Sequence, residues 1–176
     1  MILPPELSRE PACNDPLAPS GAVALLLVSE WAQAVRLQQP LSLLVVTVDH
    51  ARSLATQQGR EQADAQLQRI GLVLTTTAGR ARDVAGRCSA DAFMIVLPDT
   101  PADGARAVAE RCQRGVRAIG GATVSFGAGT LIPRSEAGHS AFFNAVAQLC
   151  DEAVRAGGDR IVCRHFGQSR TGAMRA

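Results

Sequence analysis

An arginine and an aspartate three residues apart, Arg80 and Asp83, are the side chains in this sequence best suited to holding a polar ligand. An arginine fork can donate paired hydrogen bonds to a phosphate or to O6 and N7 of guanine, while an aspartate accepts from the guanine N1 and N2 hydrogens. The arginine plane also stacks well on a guanine face. By itself the R-x-x-D spacing is a weak signal. The alternative is a surface Arg–Asp pair that caps the following hairpin.

The other groups that could do chemistry stand without partners. Asp49, Asp64 and Asp91 occupy positions that suit a strand end, a helix start and a turn. No histidine has metal-ligand spacing with a cysteine, so we predict no zinc site and no cofactor. These residues are His50, His139 and His165, with Cys13, Cys88, Cys112, Cys150 and Cys163. All 18 basic residues are arginine, which excludes any site that requires lysine.

Composition indicates one globular domain. The chain has 176 residues, of which 47% are hydrophobic, enough for a substantial core. A formal net charge of +2 does not argue for nucleic acid or a membrane surface. The odd number of cysteines without C-x-x-C spacing predicts reduced thiols in the cytoplasm. The proline-rich start lacks signal-peptide features, and the apolar run 22–28 is too short to span a bilayer, so no membrane insertion is expected.

Hydrophobic periodicity predicts alternating helices and strands. A helix should run from Ser20 to about Gln38, where Pro40 stops it, and the continuous apolar run Leu41–Val48 suits a central strand buried on both faces. A long helix should run from about Glu61 to Thr77 and end at Ala78-Gly79. The further predicted elements are strands at Asp83–Cys88, Ala92–Leu97, Ala122–Ala128 and Arg160–Arg164, and helices at Pro101–Val116 and Ala141–Ala156.

The turn between the two hairpin strands carries a recognisable spacing. Arg87-Cys88-Ser89-Ala90-Asp91-Ala92-Phe93 matches R-x-G-G-D-E-F, and Phe93 to Thr100 resembles the F-x-V-x-L-P-x-T strand that follows this motif in diguanylate cyclases. The chain therefore resembles a degenerate GGDEF domain, a hairpin of that family with its chemistry removed.

The resemblance extends over about Asp15 to His165. Asp15-Pro16-Leu17 resembles the opening D-x-L-T-G-L, Pro40 to Leu43 the entry to the first strand, Val124 to Gly127 the v-S-i-G strand, and Gly157 to Val162 the closing G-G-D-R-V. It implies an α/β (α+β) fold, with a central mixed five-stranded sheet flanked by helices and related to the nucleotidyl cyclase and polymerase palm. We expect a loose leader at 1–18, the domain at 19–166 and a flexible tail at 167–176.

The same resemblance implies that the enzyme's machinery is missing. Joining two GTP molecules requires metal ions held by carboxylates at the first strand and hairpin. Family metal, phosphate and guanine contacts fall at Thr47, Ala55, Thr56, Ser89, Ala90, Asp91, Ala92 and Val154, of which Asp91 alone keeps a carboxylate. The two family glycines that let the backbone approach phosphates carry side chains here. We therefore predict no cyclase activity and no metal ion.

One family site is kept. Asp83 lies six residues before Ser89, which is the register of the inhibitory R-x-x-D site that binds cyclic di-GMP in active cyclases. Arg111 falls where the family often supplies a second arginine from the helix after the hairpin, in the same or a neighbouring subunit. The resemblance implies that Arg80, Asp83 and Arg111 bind cyclic di-GMP, as one molecule or as an intercalated dimer.

Two functions follow from these expectations. The first is an inactive cytoplasmic receptor for cyclic di-GMP, which passes ligand binding to a homodimer or a protein partner. The second is a protein–protein interaction module that keeps the GGDEF fold and binds no ligand. Binding of cyclic di-GMP distinguishes them.

Overall fold

The computed structural model describes residues 20–135 and 138–167 and confirms the predicted mixed five-stranded sheet flanked by helices. The strands are β1 (Leu41–Val48), β2 (Val84–Arg87), β3 (Ala92–Pro98), β4 (Val124–Leu131) and β5 (Ile161–His165). The helices are α1 (Ser20–Leu37), α2 (Ala51–Gln58), α3 (Arg60–Ala78), α4 (Ala102–Ile119) and α5 (His139–Arg155). The predicted leader, the Asp15-Pro16-Leu17 match and residues 168–176 of the predicted tail lie outside the described residues.

Strand β1 is the middle strand, as its unbroken apolar sequence predicts. The strand order is β2-β3-β1-β4-β5, and β1 pairs antiparallel with both β3 and β4. Strand β5 joins parallel to β4, which makes the sheet mixed. Helices cover both faces of the sheet, and successive side chains of β1 point into the cores on opposite faces. All but one of its eight residues are therefore buried.

Two hydrophobic cores lie on opposite faces of the sheet. Leu44, Val46 and Val48 face the core that contains residues of α3 and α4. Leu41, Leu43 and Val45 face the second core, built with α1 and α5. Because side chains alternate between the two faces along β1, the core with α3 and α4 lies on one face of the sheet and the core with α1 and α5 on the other.

Two glycines of β4 bring α5 unusually close to the sheet. A Cβ atom at Gly127 would lie 2.3 Å from the carbonyl oxygen of Val146 and 2.4 Å from the nitrogen of Cys150, both in the α5 backbone. A Cβ at Gly129 would lie 2.4 Å from a Val146 methyl group. Because β4 has no side chains at these points, α5 packs with its backbone directly on the strand.

Element ends differ from the sequence prediction by a few residues. Strand β4 begins at Val124 rather than Ala122 and continues to Leu131, and α4 extends to Ile119, beyond the predicted Val116. Gly120, with φ of 65°, follows α4, and Gly79, with φ of 59°, ends α3 at its predicted position. None of the helices in the described part of the chain is long and apolar enough to span a membrane.

Candidate functional site

The two groups of residues predicted to form sites lie at opposite ends of β2. The turn that contains Arg80 and Asp83 precedes β2, whereas the hairpin turn at 88–91 follows it. The first group therefore lies away from the positions where the resemblance places the catalytic residues.

Backbone hydrogen bonds close the Arg80–Asp83 turn. The amide of Asp83 donates to the carbonyl oxygen of Arg80 at 3.0 Å, and the amide of Arg80 donates to Oδ2 of Asp83 at 3.3 Å. The two side chains do not form the surface ion pair that was the alternative interpretation: Arg80 Nη1 instead donates to Oγ1 of Thr100 at 3.3 Å. Asp83 thus shapes the turn and leaves the guanidinium group directed to the end of β3.

The second carboxylate oxygen of Asp83 is the notable atom of this turn. Oδ1 is closed off from water and has no hydrogen-bond partner among the described residues. Burial raises the pKa of Asp83, and this rise is opposed by the backbone N–H of Arg80 and by the charges of Arg80 and Arg111. A buried acceptor without a donor costs free energy, and a ligand that brings an N–H group recovers it.

Arg111 completes the group that the sequence predicts. It lies exposed on α4, and its charge lowers the pKa of Asp83, so it is within electrostatic reach of that carboxylate. Neither Arg111 nor Arg80 belongs to any of the three ion pairs found among the described residues. The structure thus brings two arginines with exposed side chains and one partly buried aspartate together.

Thr100 belongs to this group although the sequence analysis did not select it. Its buried side chain accepts the hydrogen bond from Arg80, and its hydroxyl donates to the carbonyl oxygen of Pro98 at 2.9 Å. Its own carbonyl oxygen accepts from Oγ of Ser42 in β1 at 2.7 Å. A single threonine after a strand gives no signal of such a contact in the sequence alone.

At the other end of the sheet, the carboxylate of Asp49 is held by three donors. Oδ1 accepts from Ser125 Oγ at 2.7 Å, and Oδ2 accepts from Thr123 Oγ1 at 2.7 Å and from the amide of Asp159 at 2.8 Å. Asp49 is buried, so these bonds compensate a charge removed from water. Asp49 therefore joins the ends of β1 and β4 to the chain entering β5.

Asp159 extends this network to α4. Its carboxylate accepts from Nε of Arg117 at 3.0 Å and from Nε2 of Gln113 at 3.1 Å, and Arg117 Nη2 approaches Oδ2 at 2.8 Å. Asp159 adopts a φ of 49°, and a Cβ at Gly158 would lie 3.0 Å from the Asp49 carboxyl carbon. The G-G-D segment is thus a tight turn packed against Asp49.

Two of the positions where the resemblance places acids are neighbours in the sheet. Thr47 in β1 pairs with Ala92 in β3, so a hydroxyl and a methyl group stand where the resemblance places carboxylates. Thr47 Oγ1 accepts a weak hydrogen bond from Sγ of Cys150 at 3.4 Å. This pair of side chains offers no charge to a cation.

The hairpin turn satisfies its own polar groups. Arg87 donates from Nε to the carbonyl oxygen of Ser89 at 3.1 Å and from Nη2 to that of Ala90, while Ser89 Oγ donates to Oδ1 of Asp91 at 3.0 Å. The guanidinium group also lies over the ring of Phe93, 5.9 Å from its centroid. These contacts engage Arg87 and the Asp91 carboxylate within the hairpin.

The remaining predicted positions are dispersed. Ala55 and Thr56 lie on α2, where Ala55 is half-buried and Thr56 exposed, and Val154 lies exposed near the end of α5.

Two of the cysteine thiols are poor nucleophiles: burial raises the pKa of the Cys88 thiol to about 11 and that of Cys112 to about 12. Across residues 20–135 and 138–167, no group of three or more His, Cys, Asp or Glu side chains is placed to hold a metal ion.

Comparison with known proteins identifies a matching family and solved structures with the same fold. The family model described as "Diguanylate cyclase, GGDEF domain" matches residues 22–157. The structure is similar to the GGDEF domain of DgcB from Caulobacter crescentus in complex with c-di-GMP, with a TM-score of 0.78, 19% identity and coverage of 88% of this chain and 94% of that one.

Two further solved structures share the fold. One is the diguanylate cyclase SiaD from Pseudomonas aeruginosa in complex with its activator SiaC, with a TM-score of 0.76, 23% identity and coverage of 82% of this chain and 58% of that one. The other is the active GGEEF domain of a diguanylate cyclase from Vibrio cholerae, with a TM-score of 0.73, 22% identity and coverage of 85% and 97%.

Replacement of Asp49 by alanine should destabilise the fold. The change leaves Ser125, Thr123 and the Asp159 amide without their acceptor, and we expect a loss of about 3 kcal/mol in the free energy of unfolding. Urea denaturation followed by circular dichroism measures it. Asp64→Ala, which removes an exposed carboxylate from α3, is the control and should change stability by less than about 0.5 kcal/mol. Equal stability of the two variants would contradict a structural role for Asp49.

Proposed function

Because the chain belongs to the GGDEF domain family, we propose that it is a catalytically inactive member that binds cyclic di-GMP through Arg80, Asp83 and Arg111. The observation that carries the proposal is the buried Oδ1 of Asp83, which has no hydrogen-bond donor within residues 20–135 and 138–167, while two exposed arginines lie within electrostatic reach. We infer that the protein acts in the cytoplasm as a receptor for this ligand.

The absence of catalysis is supported by the end of β1 and the hairpin. The family's reaction uses metal ions bound to carboxylates, and the residues present do not fit such ions: Thr47 and Ala92 carry no charge, and the Asp49 carboxylate is occupied by three internal donors. Asp91 accepts from Ser89 within the turn. No step of the cyclase reaction is therefore assigned to this chain.

Ligand binding is supported by the match between the site's groups and the ligand's edges. Arg80 and Arg111 can donate paired hydrogen bonds to phosphate oxygens or to O6 and N7 of guanine. Oδ1 of Asp83 can accept from guanine N1 and N2. Because this oxygen is closed off from water, ligand entry requires the surrounding side chains to rearrange, and Arg80 has to leave or share its bond with Thr100.

Transmission to a partner is the second part of the proposal. SiaD, a structural relative, is known in complex with its activator SiaC. In this chain, cyclic di-GMP bound at an exposed helix and turn is positioned to change contact with a protein partner or with a second copy, to which an intercalated ligand dimer could contribute a shared surface.

One observation favours the alternative, an interaction module without ligand. A groove of about 560 Å³ opens between α1 and α5, with Leu27, Val28, Met94 and Phe143 among its lining residues, and Leu25 nearby is 72% exposed. Exposed apolar surface of this kind marks sites of protein contact. The two functions are separated by ligand binding, because only the receptor requires it.

Purified protein with GTP and magnesium should make no cyclic di-GMP. The physical reason is the lack of charge at Thr47 and Ala92 and the internal use of Asp49 and Asp91. Chromatography against a no-protein control checks it. Ala92→Glu alone should stay inactive, since it restores one of several missing contacts. Product above the control in the unmodified protein would refute the proposed inactivity.

Cyclic di-GMP should bind with a dissociation constant of about 1 μM or tighter, which corresponds to about −8 kcal/mol. Arg80→Ala should abolish detectable binding, Asp83→Ala should weaken it by about tenfold or more, and Arg111→Ala should lower mainly the stoichiometry or the ligand-dependent dimer. Isothermal calorimetry and sedimentation measure these effects.

Two matched controls test whether the effect is specific to the site. Arg60→Ala removes an exposed arginine at the distant end of α3, and Arg155→Ala removes one at the end of α5, which packs on the opposite face of the sheet from α4. Both should bind within about twofold of the unmodified protein. No heat and no shift in melting temperature at about 100 μM ligand would reject the receptor function and favour the interaction module.

Binding should weaken on acidification in a manner that depends on Asp83. Burial raises the pKa of this carboxyl above the ordinary value of 3.8, so it takes up a proton at a higher pH than a free aspartate would. The protonated form loses charge and acceptor capacity, and affinity should therefore fall as the pH decreases through the raised pKa. The charges of Arg80 and Arg111, which face this carboxylate, oppose the rise in its pKa. Calorimetry on Asp83→Asn should give a flat profile, and an identical decline in both proteins would contradict the assignment.

A further inference from the structure

One ion pair connects the Arg80–Asp83 turn to helix α1. Nη2 of Arg82 lies 2.6 Å from Oε2 of Glu30, and the two residues are 52 positions apart in the sequence. The Glu30 side chain is 17% exposed and that of Arg82 46% exposed. The carboxylate is thus largely withdrawn from water, where an ion pair is screened less than on an open surface.

Arg82 is part of the same closed turn as the two binding residues. The Asp83 amide bonds to the Arg80 carbonyl oxygen, and the Arg80 amide bonds to Oδ2 of Asp83 and to the carbonyl oxygen of Ala78. These bonds fix the backbone on both sides of Arg82. A change in the position of the Arg82 side chain therefore affects the backbone that positions Arg80 and Asp83.

Helix α1 also packs against the strand that leaves this turn. Val23, Leu27 and Trp31 form a core cluster against which Val84, the first residue of β2, is packed. The turn thus connects to α1 through the Arg82–Glu30 pair, and strand β2, which begins one residue after Asp83, also packs against α1.

We propose that Glu30 is a positioning residue for the Arg80–Asp83 site, acting through Arg82, and that it couples ligand occupancy of the site to helix α1. This inference rests on the proposed function. In this proposal Glu30 does not contact the ligand. It forms an ion pair with Arg82, whose backbone is part of the turn that carries Arg80 and Asp83. Coupling between two sites is reciprocal. If the contact with α1 raises the affinity of the site for its ligand, the bound ligand also stabilises α1 in its folded position.

Calorimetry with cyclic di-GMP on the full chain tests this coupling. Glu30→Gln should weaken binding by about threefold to tenfold, and Glu30→Asp should recover part of the loss. In an Arg82→Ala background, Glu30→Gln should have no further effect, because the route through Arg82 is already cut. Glu152→Gln, which removes a carboxylate from the exposed Arg164–Glu152 pair at 3.8 Å, is the matched control and should bind like the unmodified protein.

Hydrogen exchange gives a second measure that does not depend on the affinity of one variant. Amides of α1 should exchange more slowly when cyclic di-GMP is bound to the unmodified protein, and this protection should be lost in Arg82→Ala at saturating ligand. Thermal melting confirms that each variant is folded before it is compared.

The outcomes separate this inference from the function on which it rests. Absence of binding to the unmodified protein rejects the receptor function and the coupling with it. Normal binding by the unmodified protein, Glu30→Gln and Arg82→Ala alike rejects the coupling alone. A loss of affinity on Glu30→Gln that persists unchanged in the Arg82→Ala background also rejects it, as does a loss on Arg82→Ala far larger than that on Glu30→Gln, which would make Arg82 a direct ligand contact.

Discussion

The constraint on which this structure depends is the enclosure of β1. The strand is hydrogen-bonded along both edges and covered by helices on both faces, so its interior has no free surface for a ligand. Functional groups can lie only at its two ends. Thr47 and Asp49 mark one end, and at the other Ser42 reaches Arg80 through Thr100. The eight residues of β1 span about 25 Å, so the two ends are chemically independent.

The two ends differ in how well their polar groups are satisfied. At the first end, hydrogen bonds from Ser125, Thr123 and the Asp159 amide compensate the buried charge of Asp49, and such an arrangement contributes to stability. At the second, Oδ1 of Asp83 is buried without a donor in the described part of the chain. Most buried polar groups in proteins have a hydrogen-bond partner, so this oxygen differs from the carboxylate oxygens of Asp49. The polar groups at the carboxyl end of β1 therefore stabilise the fold, whereas the group near its start includes an acceptor that a ligand could satisfy.

Much of the fold and part of the site could be predicted from the sequence, for identifiable reasons. The unbroken apolar run Leu41–Val48 predicted a central strand because only a strand covered on both faces tolerates it, and Gly79 marked the end of α3. The grouping of Arg80, Asp83 and Arg111 came from the resemblance to a family. Contacts between distant residues carried no local signal: the Arg80–Thr100 bond and the Glu30–Arg82 pair depend on packing of the sheet, which periodicity does not encode.

Under the proposed receptor function, the charges around Asp83 determine which cyclic dinucleotide is preferred. A phosphate is repelled by the carboxylate and attracted by Arg80 and Arg111, so arginines without Asp83 would accept many anions. Oδ1, which has no donor among the residues that the structure describes, adds a second requirement to the proposed site, a neutral edge with N–H donors directed at it. Guanine offers two adjacent donors at N1 and N2, whereas adenine presents an acceptor at N1 and would leave two lone pairs facing each other. Because an unsatisfied buried acceptor costs about 1–3 kcal/mol, the proposed function assigns discrimination between the bases to Asp83 and attraction of the phosphates to the arginines.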